Sequence, residues 1–86
     1  MRSIVFTPEA WNDYQYWFKQ DSKTIKKINK LINDTCREPF EGLGKPEPLR
    51  ENFSGFWSRR INDKDRLVYA VTDSEIRIIT CRFHYQ

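Results

Sequence analysis

The spacing of apolar positions changes partway along the chain. Ala10, Tyr14, Trp17 and Phe18 fall at i, i+4, i+7 and i+8, with Trp11 alongside. Ile25, Ile28, Leu31, Ile32 and Thr35 form a second stripe of helical spacing. These intervals predict two amphipathic helices, at 8–20 and 22–37. Both starts carry chemical signals. Thr7-Pro8-Glu9 offers a capping hydroxyl, a ring suited to the first helical position and a carboxylate matched to the positive end of the dipole. Asp21-Ser22 is a second cap, and Pro39 ends the second helix. From residue 56 the period falls to two. Residues 56–61 (FWSRRI), 66–72 (RLVYAVT) and 75–83 (EIRIITCRF) read as strands, and 2–6 (RSIVF) as a short strand before the first helix.

The turns at 62–65 and 72–74 are short, so the last three strands form consecutive antiparallel hairpins. The order is β-α-α-β-β-β. Two helices must bury their stripes on one face of a small antiparallel sheet, giving an α+β fold whose other face is open for binding. Eighty-six residues allow one domain, spanning 1–86. Residues 38–55 hold three of the four prolines and all three glycines. An ordered loop of that length in a small domain is often functional.

Composition narrows the classes. Aromatics make up 15% of the chain, too many for a disordered segment. No apolar run approaches the ~20 residues of a membrane span. The opening MRSIVFTPEAW lacks a signal-peptide core. A cytoplasmic protein without membrane attachment is expected. Cys36 and Cys81 show no metal-binding spacing, and one histidine makes a zinc site a poor fit, so neither metal nor cofactor is expected. Both cysteines, with Trp11 and Trp17, are expected to pack as apolar side chains.

Net charge is only +3, but the cations divide by type. Lys23, Lys26, Lys27 and Lys30 line one face of the second helix. A solvated face explains them, with RNA contact as the alternative. Six of the eight arginines lie in residues 44–86: Arg50, Arg59, Arg60, Arg66, Arg77 and Arg82. Guanidinium forks beside Phe56, Trp57, Phe83 and Tyr85 suit RNA, with cations for phosphates and rings for bases; surface arginines beside core aromatics are the alternative. Arg60 and Arg66 share a face only if the loop between their strands holds an odd number of residues. Glu47 stands between Pro46 and Pro48, which stiffens the backbone behind one carboxylate. Alternation separates His84 from Tyr85 unless a bulge intervenes. A base, an acid and cations are what RNA cleavage by the ribose 2′-OH requires, with no metal, because the nucleophile is already in the substrate.

Several segments resemble one family: WNDYQYW at 11–17, KKIN at 26–29, TCREPFEGLGKPEPL at 35–49, FSGFWSRRI at 53–61, DRLVYAV at 65–71 and CRFHY at 81–85. Together they are similar to the YoeB (Txe) toxins of bacterial type II toxin–antitoxin systems, within the RelE superfamily. The resemblance implies a RelE-like, microbial-RNase-like fold and cleavage of translated mRNA in the ribosomal A site. It implies Glu47 as general base, His84 as general acid, Arg66 as transition-state stabiliser and Tyr85 as an orienting group. It implies Arg60, Arg59, Lys45 and Arg50 as RNA or phosphate contacts. Position 50 is often lysine in the family, and Gln86 extends past the usual terminal tyrosine. The implied partners are a YefM-like antitoxin whose C-terminal segment wraps the toxin, the ribosome with its mRNA, and a second copy of the chain. Operator DNA is reached only through the antitoxin complex. A carboxylate is a weak base for a hydroxyl, so cleavage is expected to depend on the ribosome as scaffold. The competing reading is a non-catalytic RNA- or protein-binding module on the same fold.

Overall fold

The structure, a computed structural model, describes residues 2–83. Strand β1 (Ser3–Phe6) leads into helix α1 (Pro8–Gln20) and helix α2 (Ser22–Arg37). A loop follows, then β2 (Glu47–Pro48) and a 3-10 turn at Glu51–Phe53. Strands β3 (Trp57–Arg60), β4 (Arg66–Val71) and β5 (Glu75–Thr80) complete the sheet. Both helices begin and end where the spacing predicts. The Thr7 hydroxyl accepts from Ala10 N–H at 3.0 Å and donates to the Ile79 carbonyl at 2.9 Å, tying the start of α1 to β5. The Asp21 carboxylate accepts from the N–H groups of Lys23 and Thr24 and from the Thr24 hydroxyl. These bonds hold that carboxyl below its usual range.

The sheet order is β1-β5-β4-β3-β2. Its hairpins are antiparallel, as the short turns require, but β1 runs parallel to β5, so the sheet is mixed. A parallel neighbour needs a long crossover, and the two helices supply it. The helices cover one face. Ile28 and Leu31 of α2 and Leu67, Tyr69, Ile76 and Ile78 of the sheet are fully buried between the two layers. Each such apolar side chain contributes roughly 1.5–3 kcal/mol on burial.

Two packing expectations change. Cys81 is buried, and Cys36 and Trp17 pack against the core, but Trp11 is 50% exposed. Trp11 stacks on Tyr14 (6.0 Å between centroids, 8° between planes) and meets Phe6 edge-on. It lies over edge strand β1, beyond which no further strand extends the sheet to cover it. The strand expected at 75–83 also stops at Thr80. A bulge between Val68 and Tyr69 leaves Ile79 without a register partner, and Cys81–Phe83 turn away with Phe83 at φ 68°.

Candidate active site

The site is built outward from a buried arginine. Arg59 is inward-facing on β3 and wholly buried. Its Nε donates to the Tyr69 hydroxyl at 3.1 Å. Nη1 donates to Asp34 Oδ2 at 2.7 Å and to the Leu43 carbonyl at 3.0 Å. Nη2 donates to the carbonyls of Glu38 (2.6 Å) and Glu41 (3.0 Å). All five guanidinium N–H groups are thereby engaged. Tyr69 passes the network on by donating to the Pro39 carbonyl at 2.6 Å. Asp34 also accepts from Arg37 (2.6 Å) and from Leu43 N–H (2.9 Å). These donors, Arg37 first, hold its carboxyl far below the usual carboxylate range. Arg59 was expected among the phosphate contacts. The structure assigns it to the loop instead: it has neither exposure nor a spare donor for RNA.

That network shapes residues 38–44, and Gly44 locks the loop onto the sheet. Its φ is +78°, and a Cβ there would stand 2.9 Å from Leu31 Cδ2 and 3.1 Å from Arg59 Cβ. Its carbonyl accepts from Arg60 N–H at 2.7 Å. Lys45 follows at φ 53° and is exposed. The chain then enters β2, with Glu47 opposite Ser58 and Pro48 opposite Trp57. An edge strand tolerates Pro48, which has no N–H to give.

Cross-strand partners share a face. Glu47, Ser58, Val68 and Thr80 therefore form a row across four strands, on the side away from the helices. Two residues along β3 from Ser58, Arg60 stands on the same side, directly opposite Arg66. The five-residue loop Ile61–Asp65 gives the odd count that this requires. Sheet spacings put the Glu47 Cα roughly 8 Å from that of Arg60 and about 12 Å from that of Arg66. Glu47 and Arg60 are exposed, and Arg66 is partly so. One Arg66 nitrogen, Nη1, donates to the carbonyls of Asn62 (2.7 Å) and Asp65 (3.1 Å), which fixes its stem over the turn. Arg50 is exposed beside a groove of about 480 Å³ that runs along residues 47–53, with Glu47 in its wall. The lining of that groove stops short of Arg60 and Arg66.

The segment after β5 is harnessed by residues to which sequence reading gave no such part. Asp13 Oδ2 accepts from Cys81 N–H at 3.1 Å, and the Trp17 indole donates to the Cys81 carbonyl at 2.8 Å. Burial pushes the Asp13 carboxyl up. The Arg82 guanidinium lies 3.5 Å from the Tyr16 ring centroid and 4.5 Å from that of Phe83. Asp65 Oδ1 accepts from Phe83 N–H at 2.7 Å, and Arg66 N–H donates to the Phe83 carbonyl at 2.9 Å. Phe83 is thus held at its N–H by Asp65 and at its carbonyl by Arg66. His84 and Tyr85, expected as acid and orienting group, lie outside the described residues. The position of Asp65 directly before RLVYAV was the available signal for its anchoring part. No group of three or more His, Cys, Asp or Glu among the described residues could hold a metal ion.

The arrangement offers an exposed carboxylate and two guanidinium groups, one exposed and one partly so, on the side of the sheet away from the helices, where Ser58, Val68 and Thr80 are buried. Comparison with known proteins gives it a context. Residues 6–85 match the family described as YoeB-like toxin of bacterial type II toxin-antitoxin system. Toxin YoeB of Escherichia coli K12 is 58% identical over 82 residues, covering 95% of this chain and 98% of that one. The YoeB dimer from Staphylococcus aureus superposes with a TM-score of 0.91 at 47% identity, covering 98% of each chain. A YoeB-YefM complex from the same organism gives 0.89 at 45% identity, covering 99% of each. With a family match running nearly end to end and identity at this level, the chain belongs to the YoeB toxins of bacterial type II toxin–antitoxin systems.

Proposed function

We propose that the chain is a ribosome-dependent endoribonuclease that cuts mRNA in the ribosomal A site. The Glu47 carboxylate takes the proton from a ribose 2′-OH. The resulting oxygen attacks the adjacent phosphorus. Arg66 and Arg60 neutralise the charge that builds on the pentacoordinate phosphate. The bond to the 5′-oxygen breaks, and His84 gives that oxygen a proton. The products are a 2′,3′-cyclic phosphate and a 5′-OH end. Tyr85 orients the phosphate, and Lys45 and Arg50 contact the flanking RNA. No metal or cofactor takes part in this scheme.

One observation carries the reading: Glu47, Arg60 and Arg66 occupy one side of the sheet, within side-chain reach of a single phosphate between them. The bond between Arg66 and Phe83 supports it, because His84 and Tyr85 follow Phe83 directly in sequence.

The same reading assigns the partners. A YefM-like antitoxin neutralises the toxin by laying an acidic C-terminal segment over this cationic face. The complex represses its own operon through the antitoxin's contact with operator DNA. The chain pairs with a second copy of itself. It acts in the cytoplasm as one domain over residues 1–86. No helix among the described residues is long and apolar enough to cross a membrane.

Single-turnover cleavage on programmed ribosomes tests the scheme. Glu47→Gln should slow cutting by about 10²-fold or more, a typical loss for a general base, with ribosome affinity retained. Equal loss of cutting and affinity would remove Glu47 from the role of base.

A further inference from the structure

The exposed face of α2 is basic in a way that works against the helix. Lys23, Lys26, Lys27 and Lys30 fall at i, i+3, i+4 and i+7, and all four are exposed. They span roughly 10 Å along the axis. Lys23–Lys27 and Lys26–Lys30 are like-charge pairs one turn apart, a destabilising spacing. The row occupies the first half of the helix, whose first turn carries no acidic residue, although the macrodipole disfavours cations there. The only carboxylate within α2 is Asp34, and Arg37 and Arg59 already hold it. Asp21 feels Lys23, but its oxygens are spent on capping. None of the four ammonium groups makes a hydrogen bond or ion pair with a described residue.

A helix stabilised for its own sake would alternate acids and bases on this face. Uncompensated repulsion held in register points to an outside polyanion. The opposite side of α2 packs on the sheet through Ile28, Leu31 and Ile32. The lysine row therefore faces away from the side that carries Glu47, Arg60 and Arg66. Helix α2 contains no aromatic residue to stack a splayed base. Lysine is a point charge that suits phosphate oxygens without demanding a planar partner. Double-stranded RNA presents phosphates along its backbone and is bound through them with little regard to sequence.

We propose that the lysine face of α2 is a second RNA-binding surface, which grips the phosphate backbone of a duplex while the open sheet face engages the strand to be cut. This rests on the cleavage reading above and adds a partner on the far side of the molecule. The chain would then lie between two RNA elements.

The test uses the full-length chain without ribosomes and an RNA duplex of about 16 base pairs, the span a double-stranded-RNA-binding domain covers. Affinity is read by fluorescence anisotropy across a salt series. Replacing Lys23, Lys26, Lys27 and Lys30 together by Gln should weaken binding about tenfold or more and flatten the plot of log affinity against log salt by about 3. Replacing all four by Arg should preserve both values. Lys26→Gln with Lys30→Gln should give an intermediate loss, and circular dichroism verifies the helix in each variant. Unchanged affinity and slope in the Gln variants would overturn the proposal. So would equal loss in the Arg variant, or lysine-dependent binding seen only with phosphatidylglycerol vesicles. Glu47→Gln separates the two readings, since it should slow cleavage by about 10²-fold or more while leaving duplex affinity intact.

Discussion

Arg60 and Arg66 are register partners, facing each other across β3 and β4 on the side of the sheet away from the helices. Two cations directly opposite repel, so the sheet is less stable for having them there. An anionic ligand between them relieves the repulsion, and a phosphate is the ligand the proposed chemistry supplies. Arg60→Gln should therefore raise stability slightly, by a few tenths of a kcal/mol given solvent screening, while cutting falls. Urea denaturation and single-turnover cleavage on one preparation give both signs. A variant that loses stability and activity together would mean that Arg60 is structural.

Arg59 should behave in the opposite way. Its removal takes the buried cation from the Asp34 carboxylate, which keeps only Arg37 and Leu43 N–H, and leaves three carbonyls and the Tyr69 hydroxyl short of a donor. Breaking a buried pair from one side costs about 3–5 kcal/mol. A domain of this size holds only roughly 4–13 kcal/mol in all. Arg59→Ala should lose most of its folded population on mild denaturation. Arg59→Lys keeps the charge but not the fork, and should also be markedly weakened. Thermal unfolding of the pair measures both.

Acid should unfold the protein partly through Asp34. Its folded pKa lies below its unfolded value, so the unfolded chain binds the extra proton in the window between them. The stabilisation is fully present above the unfolded value of about 3.9 and declines as pH falls from there. Asp34→Asn should be less stable than the parent at neutral pH, and its stability should change less between about pH 4 and pH 2. Urea midpoints taken across that range decide it. Parallel slopes would show that other carboxylates carry the acid sensitivity.

Gly44 and Gly55 make a matched pair. Both have positive φ, but only at Gly44 would a Cβ meet other atoms. Gly55→Ala should cost about 1–2 kcal/mol for the left-handed backbone alone. Gly44→Ala adds collisions with Leu31, Arg59 Cβ and the Arg60 carbonyl. It should melt lower than Gly55→Ala, and it should cut more slowly because it displaces the loop that leads to Glu47. Equal melting points would mean that the loop relaxes freely.

Much of this was legible in the residues. Thr7-Pro8 and Asp21 announced both helices because capping is local chemistry. Period-two spacing announced β3, β4 and β5 for the same reason. Strand β2 was not legible: Glu47 and the proline after it are too few to carry a period, and their pairing depends on β3 ten residues later. The parallel β1–β5 pairing links residues over seventy positions apart and leaves no local trace. The bulge at Ile79 is an accommodation between two strands, so neither strand encodes it alone. Arg59 is the instructive miss. Alternation in FWSRRI already put it on the same side as Trp57 and Ile61, facing inward, but its charge argued for solvent. The spacing was the better guide, because Asp34 and four other acceptors waited inside.

The parallel contact between β1 and β5 bears on how such a protein can be made at all. β1 emerges early in synthesis, yet its partner β5 follows more than seventy residues later. A pairing of such long sequence separation closes late. Until then the nascent polypeptide lacks both its closed sheet and the tie between Phe83 and Arg66. The face that carries Glu47, Arg60 and Arg66 is therefore finished only after β5 has been made.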